Sequence, residues 1–171
     1  YGNHRVAVFD ADSGKFKRMW GAFGNKPVDN FACPPPSLKA VPDGPGPDQF
    51  SIVHAIRVAE DGMVYVADRE NRRVQMFTSE GKFLKQYVRH NAPFARNVAL
   101  SHDPEQRYLY VGGGIDIVIL DRKTLEFVIQ QVNGRVPVIA HVSDSGTGIA
   151  VDRARNAERA GAAAVIATST Y

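Results

Sequence analysis

The residues best able to do chemistry are scattered along the chain. Gly112-Gly113-Gly114 follows an apolar run, and Ser143-Asp144-Ser145-Gly146-Thr147 precedes a helical pattern. Both spacings can turn backbone N–H groups toward an anion. The glycine run, however, leads into Ile115-Asp116-Ile117-Val118, which reads as strand, so a tight turn is the better reading there. The serine-rich stretch reads more simply as a strand-to-helix loop with Ser145 or Thr147 as the N-cap. Cys33 is the single cysteine, which excludes an intramolecular disulfide and a multi-cysteine zinc site. It stands before Pro34-Pro35-Pro36 and reads as an unreactive loop thiol.

The elements that must position such residues fall into two territories. From Tyr1 to about Val128 the pattern is short alternating strands, clearest at Arg5–Phe9, Phe16–Trp20, Met63–Ala67, Arg73–Phe77, Phe83–Tyr87, Tyr108–Gly112 and Asp116–Leu120. Turn chemistry joins them at residues 10–15 (DADSGK), 59–62 (AEDG) and 78–82 (TSEGK). Seven of the ten prolines lie between Asn25 and Gln49, and proline cannot donate to a strand ladder, so this stretch reads as a long loop. From Val132 the character changes. Val136–Val142 and Ala163–Thr168 are apolar strands, and between them Ile149–Ala160 carries apolar residues at 150, 154, 157 and 160, with Gly161 as its C-terminal stop. Apolar strand, helix and apolar strand make a parallel βαβ unit, which has no place in an antiparallel meander.

An internal repeat runs through the first territory. Asn3-His4-Arg5-Val6-Ala7-Val8-Phe9 aligns with Asn71-Arg72-Arg73-Val74-Gln75-Met76-Phe77, an offset of 68, and Gly14-Lys15-Phe16 aligns with Gly81-Lys82-Phe83 after a one-residue slip. The proline-rich loop accounts for the excess over the ~40–45 residues of a propeller blade. Ten or so candidate strands amount to about three four-stranded blades, each needing neighbours to cover its faces.

With those segments in view, residues 1–16 and 64–83 resemble the NHL repeat of six-bladed β-propellers. Within that group they are most similar to the peptidyl-α-hydroxyglycine α-amidating lyases, through Tyr1-Gly2-Asn3-His4-Arg5, Asp48-Gln49-Phe50-Ser51-Ile52-Val53-His54 and Ala67-Asp68-Arg69-Glu70-Asn71. The resemblance implies a channel lined by a tyrosine, a histidine and an arginine, placing a zinc ligand at His54 and substrate-handling roles at Tyr1 and Arg69. Those two would help deprotonate a hydroxyglycine and hold its carboxylate. Zinc in such a site needs three protein ligands and an open position. His4, His90, His102 and His141 lie outside the matching motifs, and Val53 replaces the proline that usually precedes the ligand, so one copy is not expected to hold a complete site. The competing reading makes His54 a buried, hydrogen-bonded histidine and Arg69 a stacking arginine paired with Asp68 or Glu70. Tyr1, at a chain end, reads as frayed rather than catalytic.

The tail resembles a second family. GRVPVIAHV, AERAGA and the final Tyr171 are similar to an early βαβ segment of the dihydrodipicolinate synthase and N-acetylneuraminate lyase TIM barrels. That family forms a Schiff base on a lysine. No lysine follows Lys123, so the tail cannot perform that chemistry.

Composition sets outer limits. Of 171 residues, 44% are hydrophobic and 23% charged, which suits a packed core and excludes wholesale disorder. The net charge of +3 is spread with both signs interspersed, so no nucleic-acid footprint is expected. No apolar run approaches the ~20 residues of a membrane span. The compartment stays open, and an opening on Tyr1 rather than methionine leads one to expect an upstream segment.

The expected architecture is therefore mainly β: an NHL-type propeller segment over residues 1–128 and a βαβ tail over 132–171, joined as in a chimera. Three functions are in play: a zinc-dependent lyase completed by a second copy, a non-catalytic scaffold presenting a peptide site, and a fragment without activity of its own. The expected partners are a second copy closing the ring and a peptide.

Overall fold

The computed structural model describes residues 3–29, 46–89, 94–113, 117–128, 139–143, 147–159 and 164–168. The chain divides into two compact units, residues 1–125 and 126–171.

The first unit is built of antiparallel meanders. β1 (Val6–Phe9) pairs with β2 (Phe16–Trp20). A four-stranded sheet follows in the order β3 (Val53–Val58), β4 (Val64–Asp68), β5 (Arg73–Phe77) and β6 (Phe83–Val88). Then comes a three-stranded sheet of β7 (Asn97–Leu100), β8 (Tyr108–Gly112) and β9 (Ile117–Asp121). Three of the expected strands, at 16–20, 73–77 and 108–112, have the expected bounds. β3 and β7 stand where no clear strand was read. The first residues of β3, β4 and β5 (Val53, Val64, Arg73) recur 44 positions on at β7, β8 and β9 (Asn97, Tyr108, Ile117), the spacing of a propeller blade.

The two central strands of the middle sheet, β4 and β5, are covered on both faces, and the period of two along them sends alternate side chains to opposite sides. Val64, Val66 and Phe77 face β1–β2 and pack with Val6, Trp20, Ala22 and Phe50. Tyr65, Ala67, Val74 and Met76 face the other way and pack with Val98, Leu109, Val111 and Leu120 of β7–β9. Every residue of β4 and β5 is consequently buried. Burying a Val, Leu or Phe side chain contributes about 1.5–3 kcal/mol, so these two cores dominate the cohesion of the stack.

The repeat read at offset 68 has a geometric counterpart. The β1–β2 turn closes with Asp10 N–H donating to the Lys15 carbonyl, and the β5–β6 turn with Thr78 N–H donating to the Lys82 carbonyl. Gly14 and Gly81 take positive φ (67° and 91°) in the two turns. The strand register slips at Val8/Phe9 in one hairpin and at Met76/Phe77 in the other. His4 and Arg72, equivalent in the repeat, share the left-handed backbone that non-glycine residues rarely adopt (φ 45° and 52°).

The second unit holds β10 (Ile139–Ser143), α1 (Thr147–Arg159) and β11 (Ala164–Thr168). β10 and β11 pair in parallel, Ile139 opposite Ala164 and Ser143 opposite Thr168, so the two tail strands join each other across the helix crossover. The helix begins at Thr147, two residues before the expected start. Of its apolar stripe, Ala157 is buried and Ala154 half-buried. Ser145, Gly161, Tyr171 and Cys33 lie outside the described residues, as does most of the proline-rich loop.

Candidate functional site

The Asp68 end of β4 gathers most of the chemistry-bearing side chains of the first unit. Asp68 and Arg73 are cross-strand neighbours, and the carboxylate is saturated. Its Oδ1 accepts Ser51 N–H at 2.9 Å, and its Oδ2 accepts Asn71 Nδ2 and Arg73 Nε, each at 2.8 Å. Arg73 also donates to the Gln49 carbonyl at 3.1 Å and lies over the Phe23 ring at 4.8 Å. Burial pushes the Asp68 carboxyl above its ordinary range, opposed by the Arg73 charge and the bonds from Asn71 and Ser51. Burial likewise pulls Arg73 down, opposed by Asp68. Together with Asn71, which donates to the Gln49 carbonyl at 3.0 Å, the pair fastens the segment before β3 to the β4–β5 turn. Its work is architectural: it fixes where the chain enters the strand that carries His54.

His54, on β3, is half-buried, and its Nδ1 lies 2.9 Å from the Arg96 carbonyl just before β7. A carbonyl only accepts, so Nδ1 carries the proton in this contact. Histidines that ligate a metal are oriented by this kind of bond. Arg69 follows β4, with Nε 2.7 Å from Glu70 Oε1, so its carboxylate neighbour is Glu70, since Asp68 is taken by Arg73. The Arg69 guanidinium lies 5.3 Å from the Phe94 ring centre, and that of Arg96 lies 4.6 Å from it. Arg69 and His54 are thus linked through the Phe94–Arg96 segment, which sequence reasoning missed. An aromatic two residues before an arginine, in Phe94-Ala95-Arg96, was the signal available. Tyr1 lies outside the described residues.

Among the described residues no three His, Cys, Asp or Glu side chains converge as a cage, so these residues by themselves do not make up a zinc site.

A second buried arginine marks the opposite end of the sheets. Arg122 grips Asp61 with two bonds of 2.8 Å from Nη1 and donates to the carbonyls of Gln106 (2.6 Å) and Glu105 (3.1 Å). Tyr65 Oη stands 3.3 Å from the same Nη1. These contacts tie the β3–β4 turn to the β7–β8 turn. Gly113 has a structural reason too: a Cβ there would lie 2.0 Å from the Phe94 carbonyl oxygen and 2.8 Å from Arg89 Cζ. β9, not a helix, is the next described element, which fits the turn reading of the glycine run.

No family profile matches the chain. Against curated proteins, it is 33% identical over 106 residues to the peptidylglycine alpha-amidating monooxygenase of Rattus norvegicus and 36% identical over 107 residues to that of Xenopus laevis. Each match takes in 61% of this chain and 9% of the relative. It is also 47% identical over 49 residues to the 4-hydroxy-tetrahydrodipicolinate synthase of Pelobacter propionicus, covering 29% of this chain and 17% of that enzyme. Among solved structures, dihydro-heme d1 dehydrogenase NirN in complex with DHE aligns at a TM-score of 0.47 and 20% identity, over 74% of this chain and 22% of that one. The chain therefore carries two similarities, to an amidating monooxygenase and to a dipicolinate synthase, and spans a small part of each relative.

Proposed function

We propose that the first unit is a propeller segment of amidating-lyase lineage, in which His54 serves as a zinc ligand and Arg69 faces the carboxylate of a peptide substrate, with Tyr1 as the proton-handling group. The observation that carries this reading is the position of His54, whose Nδ1 lies 2.9 Å from the carbonyl of Arg96, while the Arg96 and Arg69 guanidinium groups share the Phe94 ring. Zinc, when bound, would supply Lewis-acid polarisation and a metal-held water. The chain's own part is to orient His54 through Arg96 and to set Arg69 against Glu70 and Phe94.

In this reading the ring is closed by a second copy. The outer faces of the stack support it. Phe9 and Phe16 meet edge to face at 5.8 Å on one outer face, beside Met19, and Ile117 and Ile119 stand out from the other. Interior-type apolar faces at both ends of a stack call for another sheet on each. The βαβ tail is proposed as a barrel-type fragment joined to the propeller segment.

Zinc titration followed by calorimetry tests the site. Saturable binding that His54→Ala abolishes supports it. Identical heats for both proteins contradict it, leaving the scaffold reading.

A further inference from the structure

We infer that Gly113 is a positioning residue for the His54–Arg69 site, a place kept empty so that the Phe94–Arg96 segment lies where it holds both side chains. The inference rests on the reading of His54 and Arg69 as one site, and on nothing about zinc. At the 44-residue spacing of the sheets, Gly113 follows β8 as Arg69 follows β4. One sheet therefore carries a long cation at this place, and the next carries no side chain there.

The room that a side chain would need is taken. A Cβ on Gly113 would lie 2.0 Å from the Phe94 carbonyl oxygen, far inside the 3.4 Å where ordinary contact begins, and 2.8 Å from Arg89 Cζ. Arg89 is buried and donates from Nη1 to the Val111 carbonyl at 3.0 Å. The 94–96 segment is itself stitched down on two sides: Arg96 N–H donates to the Gly112 carbonyl at 2.8 Å, and Ala95 N–H to the Arg69 carbonyl at 3.4 Å. Its contacts with the site follow from that seat. The Arg96 carbonyl meets His54 Nδ1 at 2.9 Å, and the Phe94 ring centre lies 5.3 Å from the Arg69 guanidinium. A methyl group on Gly113 must push this backbone away. A bond of 2.9 Å does not survive such a displacement, because hydrogen bonds fade beyond about 3.2 Å. His54 then loses the acceptor that draws its proton to Nδ1.

The test reads the His54 tautomer in the full, metal-free chain by long-range proton–nitrogen NMR, in mildly alkaline buffer where histidine is neutral. The signals are assigned by their loss in His54→Gln. The parent should be mainly the Nδ1–H form, and Gly113→Ala should bring that form below half, toward the Nε2–H form that a free imidazole prefers. Gly112→Ala, whose Cβ would meet Asn97 Cβ at an ordinary 3.8 Å, should leave the tautomer unchanged. Trp20, buried in the other core, reports through its emission that each variant is folded. Phe94→Leu keeps the backbone of the segment, so His54 should stay Nδ1–H while the Arg69 Nε–H resonance shifts on loss of the ring; this arm decides even where Gly113→Ala does not fold. A folded Gly113→Ala with the parent tautomer, a Gly112→Ala that changes it equally, or a Phe94→Leu that loses it would each overturn the inference. A parent chain that binds no zinc, while Gly113→Ala still changes the tautomer, contradicts the metal reading alone.

Discussion

Asp68 and Arg73 stand opposite each other on β4 and β5 and meet at 2.8 Å, with side chains 0% and 1% exposed. A fully buried ion pair offsets its own desolvation only when both partners are saturated, as here by Asn71, Ser51 and Gln49. Removing one partner strands the other. Asp68→Ala should therefore cost about 3–5 kcal/mol in urea unfolding. Replacing both residues by leucine should recover much of that loss. Equal losses for the single and double variants would show that backbone anchoring, rather than stranded charge, sets the cost.

The Asp61–Arg122 contact predicts an acid limb. Burial works to raise the Asp61 carboxyl, but hydrogen bonds from Arg122 and Met63 and the charges of Arg122 and Lys123 outweigh it, leaving the group below its ordinary 3.8. A carboxyl depressed in the folded state stabilises fully above its unfolded value and loses that contribution as pH falls through the folded one. Melting temperature should then decline below about pH 4, and less steeply in Asp61→Asn, which starts lower at neutral pH. Parallel pH profiles for the two proteins would contradict this.

Gly14 and Gly81 occupy equivalent turns with different surroundings. A Cβ on Gly14 meets nothing within 4 Å, whereas one on Gly81 lies 2.7 Å from Trp20 Cδ2 and Cε3. Both sit at positive φ, which alone costs an alanine about 1–2 kcal/mol. Gly81→Ala should cost clearly more, on the order of 3 kcal/mol, because it also displaces a packed ring. Calorimetric melts read the stability difference, and Trp20 fluorescence should change only in the Gly81 variant.

His54→Ala removes a half-buried ring and its bond to the Arg96 carbonyl. Without metal the loss should stay near 1 kcal/mol, the value of one hydrogen bond in a partly solvated site. Added zinc should raise the melting temperature of the parent chain and leave the variant unchanged. A loss of several kcal/mol in metal-free protein would make His54 a core residue.

Much of the fold was legible because β strands in a stacked meander alternate sharply and end at turn residues, as Phe16–Trp20 and Arg73–Phe77 do. β3 was obscured because Val53–Val58 mixes His54 and Arg57 into an apolar run that starts directly after Phe50-Ser51-Ile52. β7, four residues long, gives too few alternations to read. The 44-residue repeat was hidden for a related reason: backbone position recurs while side chains do not, as Ala67-Asp68 against Val111-Gly112 shows. At the site, Arg69 was legible by motif, but its contacts with Phe94 and its link to His54 through Arg96 depend on a pairing between sheets that local sequence does not encode.

The central claim is that this chain supplies part of a ring whose metal site needs more than one copy. The most direct measurement is light-scattering mass with metal analysis on the same purified fraction. The account predicts a dimer carrying about one zinc per ring, a site completed by three protein ligands. A metal-free monomer would contradict it.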